Sequence, residues 1–190
     1  MLTSHARFVI LALSLELIGA GQPQTAKSAS AFEGVSAVNE QVHPVTAELI
    51  AEHASVQPGG RTRIGIRFEM EPGWHIYADP PGDAGLPTNI AWSSPSDATI
   101  GDLHWPTPES FVEEDMKTFG YSGVVIAYSP LTISAKQPTG QPLDLQAAVK
   151  WLACKQLCVP GHATLHFNLP VTESIPAFSA HAELFDLVAE

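Results

Sequence analysis

The sequence predicts an all-β sandwich, and three observations carry that expectation. Short runs of alternating apolar and polar residues recur along the chain. Sixteen prolines and 14 glycines punctuate 190 residues, which disfavours long helices and favours short strands joined by turns. Strands follow one another without the helical patterns that a parallel βαβ sheet requires. The length suits one domain with a real core, and no internal repeat suggests a second.

Taken in order, Val45 to Glu52 alternates moderately and stops at the turn Pro58-Gly59-Gly60. Thr62 to Met70 alternates cleanly, with Ile64, Ile66 and Phe68 on one face and Arg63, Arg67 and Glu69 on the other. Trp74-His75-Ile76-Tyr77 is a short aromatic strand, followed by a rigid loop from Asp79 to Thr88. Asn89 to Trp92 and Ala98 to Trp105 read as further strands. The acidic stretch Glu109 to Thr118 is expected to be a surface loop. Val124 to Tyr128 is a β-branched run typical of a buried strand. Leu143 to Trp151 leads to Cys154, and Ala163 to Leu169 alternates again. A short amphipathic helix is expected near Ala180 to Val188, with Leu184, Leu187 and Val188 on one stripe.

The N-terminus has the form of an export signal: a weakly basic start ending at Arg7, an apolar run from Phe8 to Ile18 interrupted by Glu16, and an Ala29-Ser30-Ala31 cleavage pattern before Phe32. An apolar run of about ten residues cannot span a ~30 Å hydrocarbon core, and nothing later approaches that length, so no membrane insertion of the mature chain is expected. The expected organisation is a signal peptide over 1–31, a flexible lead-in over 32–44, a sandwich domain over 45–172 and a partly helical tail over 173–190. Export places the domain in an oxidising compartment, where a cysteine pair can exist as a disulfide. The net charge of −11 disfavours nucleic acid and anionic membrane surfaces as partners.

Chemistry concentrates in Trp151-Leu152-Ala153-Cys154-Lys155-Gln156-Leu157-Cys158, which holds both cysteines of the chain. As a covalent brace the pair is poor: a loop this short restricts the unfolded chain by only about 2 kcal/mol, against ~4.7 for a hundred-residue loop. As a soft-metal clasp it could recruit His162 or Met116. His162 and His166, however, stand about 13 Å apart if they lie on a strand, too far to share one ion. As a redox centre it has a resolving thiol built in, and Lys155 could stabilise a thiolate. Disulfides closing short loops are also exchangeable. Redox chemistry fits best, with brace and metal, a copper-handling or docking module, left as alternatives. A redox role of this kind calls for no cofactor.

The order of motifs resembles the N-terminal periplasmic domain of DsbD and ScsB-type thiol:disulfide interchange proteins. The matching residues are Trp74-His75-Ile76-Tyr77, Pro81 to Thr88, Trp105-Pro106, Phe119-Gly120-Tyr121-Ser122-Gly123, Trp151 to Cys154 and Cys158-Val159-Pro160. The resemblance implies an immunoglobulin-like sandwich in the periplasm whose cysteines pass electrons between proteins. It implies Cys158 as the attacking thiol, Cys154 as the resolving thiol, and an aromatic cap over the pair, for which Phe119, flanked by Tyr121, is the candidate. The implied partners are thioredoxin-like or disulfide isomerase proteins, with links to cytochrome c maturation, and a separate membrane electron donor. The Cys-x3-Cys spacing is closer to the ScsB-like branch than to the wider spacing of the best-known DsbD.

Overall fold

The computed structural model describes residues 43–188 apart from 94, 95 and 114. The predicted signal peptide (1–31) and all but the last two residues of the predicted lead-in lie outside the described residues. The described residues form ten strands: β1 (Val45–Ala51), β2 (Arg61–Met70), β3 (His75–Gly82), β4 (Asn89–Ser93), β5 (Ala98–Ile100), β6 (Glu109–Glu113), β7 (Met116–Ser122), β8 (Val124–Ile133), β9 (Leu143–Cys154) and β10 (Cys158–Leu169). One short helix follows, α1 (Ala182–Asp186).

Two sheets result, one ordered β1-β2-β8-β5 and the other β10-β9-β3-β7-β6, with β4 also pairing β9. All the ladders are antiparallel. This is the immunoglobulin-like sandwich that the sequence predicts. Period-two burial builds its core. Ile64, Ile66 and Phe68 of β2 and Leu143, Leu145, Ala147, Val149 and Trp151 of β9 are buried in one cluster drawn from both sheets. Trp92 of the β9-side sheet donates from Nε1 to the buried Ser129 of β8 at 3.1 Å, a polar tie across the layers.

Several elements differ from expectation, and pairing is the reason in each case. Glu109 to Thr118 is a hairpin: β6 pairs β7 from Glu109↔Gly120 to Glu113↔Met116, and the acidic run supplies its turn, with Asp115 at φ 69°. The expected rigid loop after Tyr77 begins inside β3, whose register against β7 is irregular between Tyr77 and Gly82. The expected strand Ala98 to Trp105 is regular only to Ile100, after which His104 bridges Tyr128. β8 runs past Tyr128 to Ile133, and β10 starts at Cys158, five residues before the alternation becomes legible. Pro160 fits within β10 because this is an edge strand, where a missing N–H removes no ladder bond on the open side.

The helix is shorter than predicted, and its buried stripe is different. Phe185 and Val188 pack with Ile50 and Ile126 on the outer face of the first sheet, Leu184 joins them, and Leu187 is exposed. Gly65 makes room: a Cβ there would meet the Phe185 ring and the Ala127 carbonyl. Arg63 fastens the segment. Its guanidinium pairs with Glu52 at 2.7 Å and Asp186 at 2.8 Å and donates to the Phe185 carbonyl. The hydrogen bond from Arg63 holds the Glu52 carboxyl below the usual range, against the opposing effect of burial.

Candidate functional site

β9 and β10 form a hairpin closed by Lys155-Gln156-Leu157, and its first register pair is Cys158↔Cys154. The two cysteines are joined as a disulfide with a Cα–Cα distance of 4.1 Å. Residues directly opposite in an antiparallel ladder project to the same side, so the hairpin itself brings the sulfurs together. The two positions are unequal. Cys154 is 3 % exposed, whereas Cys158, at the head of the edge strand, is exposed.

The cause of that inequality lies in the next strands of the sheet. Along β9 the inward residues are buried and the outward ones exposed or half-buried, until Cys154, which points outward and is buried all the same. Across the ladder Cys154 faces His75 of β3, and His75 faces Ser122 of β7. His75 is 6 % exposed. It is stacked on Phe111 of β6 at 4.5 Å and meets the Tyr77 ring edge-on at 5.1 Å. Gly85, at φ 97°, lets the following loop lie directly on the Tyr77 ring, where a Cβ would collide. The row ends on Glu109, which accepts hydrogen bonds from the Ser122 hydroxyl at 2.9 Å and the Ser122 amide at 3.3 Å. An outer layer of His75, Tyr77 and Phe111 therefore covers this end of the sheet, and Cys158 lies at its open margin.

Among the residues singled out from sequence, Lys155 is in the turn between the cysteines. Its ammonium donates to the Pro72 carbonyl at 2.9 Å, tying the hairpin tip to the turn that precedes β3. Phe119 and Tyr121 are not brought to the pair. Tyr121 faces Ile76, which faces Ala153, so these residues belong to the inner side of the sheet. Tyr121 stacks on Trp105 at 5.0 Å, donates to the Pro106 carbonyl, and burial pushes its phenol up to about 12. Phe119, two residues earlier on the same face, packs against the core with Lys117 over its ring at 5.2 Å. The ring on the cysteine side is Phe111, which the sequence concealed inside an acidic stretch.

His162 is exposed on β10 four residues from Cys158, about 13 Å along a strand. Among the described residues no group of three or more His, Cys, Asp or Glu side chains is arranged to hold a metal ion.

A two-sheet sandwich with a disulfide at the turn of its β9–β10 hairpin matches a described family: residues 42–170 fit the model of the thiol:disulfide interchange protein DsbD, N-terminal. The chain belongs to the DsbD N-terminal family. Among solved structures, the N-terminal periplasmic domain of ScsB from Proteus mirabilis aligns with a TM-score of 0.56 and 21% identity, over 79% of this chain and 55% of that one. This chain thus spans about half the length of that relative. The reduced DsbD N-terminal domain of Neisseria meningitidis aligns with a TM-score of 0.38 and 15% identity, over 68% of this chain and 89% of that one. No curated protein sequence matches. As in the sequence reading, the DsbD N-terminal family and the Cys154–Cys158 disulfide mark a thiol:disulfide interchange domain.

Proposed function

We propose that this DsbD N-terminal domain is a periplasmic thiol–disulfide exchange protein that passes electrons between protein partners. The observation that carries the reading is the unequal exposure of the two sulfurs. Exchange requires in-line attack on a disulfide sulfur by an incoming thiolate, so an accessible sulfur and a protected one divide the roles. Cys158 exchanges with the partner; Cys154, shielded beside His75, forms the internal disulfide that releases it. The chemistry is sulfur exchange and calls for no cofactor. Its activity is that of a protein-disulfide reductase.

The partners proposed are thioredoxin-like or disulfide isomerase proteins, including those of cytochrome c maturation, with a membrane protein as electron donor. Family membership supports that class. The signal-like sequence pattern over residues 1–31 supports export. Among the described residues no helix is long and apolar enough to cross a membrane.

Trapping tests the role assignment. In periplasmic extract the Cys154→Ser variant should accumulate a mixed disulfide through Cys158, because nothing resolves it. Capture by Cys158→Ser and not by Cys154→Ser would reverse the roles. Metal analysis of the reduced protein addresses the copper-handling alternative, which stoichiometric, tightly held copper would favour.

A further inference from the structure

We propose that His75 is the acid–base partner of Cys154, taking the proton from its thiol when the internal disulfide closes and returning it when the disulfide opens. The proposal rests on the exchange reading above. Cys154 and His75 are direct cross-strand neighbours on one face, and such pairs have Cβ atoms about 4.5–5.5 Å apart, within reach for an imidazole and a thiol. Both are nearly removed from water, at 3 % and 6 % exposure. Burial penalises a lone thiolate, so a base beside the thiol, able to carry the compensating positive charge, is what this step needs. His75 is also held in place: Phe111 stacks on one face of the ring and Tyr77 meets it edge-on.

The groups around the imidazole are consistent with that task. Cys154 faces it from β9 and Ser122 from β7, and Glu109 of β6 reaches the row by accepting hydrogen bonds from Ser122. Tyr77 is its neighbour on β3, and the Lys155 ammonium is engaged by the Pro72 carbonyl. Histidine titrates near neutrality, where a proton acceptor for a thiol is most effective.

In the mixed disulfide, Cys158 Sγ is bonded to the partner's sulfur and Cys154 carries a thiol. His75 takes the thiol proton, and the Cys154 thiolate attacks Cys158 Sγ. The Cys154–Cys158 bond forms and the partner's sulfur leaves as a thiolate with the electron pair. Two electrons have moved to the partner, a protein disulfide, and the two cysteines are oxidised. In reverse, a partner dithiol attacks Cys158, and the departing Cys154 thiolate recovers its proton from the imidazolium.

The test uses the full reduced chain and oxidised glutathione as the probe, with acid quenching to separate formation of the Cys158–glutathione disulfide from its resolution by Cys154. His75→Gln should slow resolution near pH 7 by at least about tenfold, the low side of general-base effects, and abolish its inflection near the histidine range. Formation of the mixed disulfide should change by less than about twofold, because Cys158 is the exposed sulfur. His75→Phe, which keeps a ring against Phe111, should share the loss; full retention in that variant would assign His75 to packing and overturn the proposal. Resolution at the native rate with an unchanged pH profile in His75→Gln would overturn it too. NMR titration of His75 in the native protein stands apart from any folding defect of the variants. Its midpoint should be higher in the reduced than in the oxidised state, and equal midpoints would refute the coupling. A native chain that forms no mixed disulfide at all would remove the exchange reading itself, and this proposal with it.

Discussion

Cys154 is where β9 departs from its own alternation, pointing outward and yet buried. The departure follows from three aromatic side chains on neighbouring strands: His75 opposite it, Phe111 stacked over His75, and Tyr77 beside them. Removing one ring should therefore open the pair without touching either sulfur. Phe111→Ala is expected to speed reduction of the disulfide by dithiothreitol several-fold, with little change in secondary structure by circular dichroism. Phe119→Ala should destabilise the fold instead and leave the intrinsic reduction rate of the folded protein nearly unchanged, because Phe119 packs against the core on the inner side of the same sheet. An equal effect of both substitutions on the reduction rate would count against the placement of Phe111 over the site. Leu157, between the cysteines, is 78 % exposed.

At the scale of elements, the C-terminal segment is held to the first sheet by Phe185 in the space left by Gly65 and by the Arg63 clamp on Glu52 and Asp186. Arg63→Ala leaves Glu52 without its partner and should lower unfolding stability by about 2 kcal/mol in a denaturant titration. Glu52 ionises more readily folded than unfolded, since Arg63 lowers its pKa from 4.5. The stability it contributes is therefore present above about pH 4.5 and is lost as pH falls through the lower folded value. Glu52→Gln should flatten the stability profile between about pH 5 and pH 3. The strands most legible in the sequence were those whose alternation reports burial on one face, as in Thr62 to Met70 and along β9. β6 was not legible, because Glu109 to Glu113 lies at a sheet edge and owes its conformation to pairing with β7. His75 and Tyr77 could be assigned to a common face from period two alone. That this face is the cysteine face depends on the register of β3 against β9, in which His75 meets Cys154, 79 residues further along the chain, and local pattern carries no such information.

For the whole molecule, the sandwich presents one exposed sulfur at a margin of the second sheet and keeps its partner sulfur covered. The cysteine spacing was legible from sequence, as were the sandwich and the family. The cover over Cys154 was not, since it is assembled from β3, β6 and β9. On this reading the Cys154–Cys158 disulfide is made and broken in exchange with protein partners and is not a permanent brace. Its reduction potential tests this most directly, measured by equilibrating the full chain in glutathione or dithiothreitol buffers of known poise and counting free thiols. The midpoint should lie between about −270 and −120 mV, the span of thiol–disulfide exchange proteins. A midpoint well below about −300 mV, where structural disulfides lie, would contradict it.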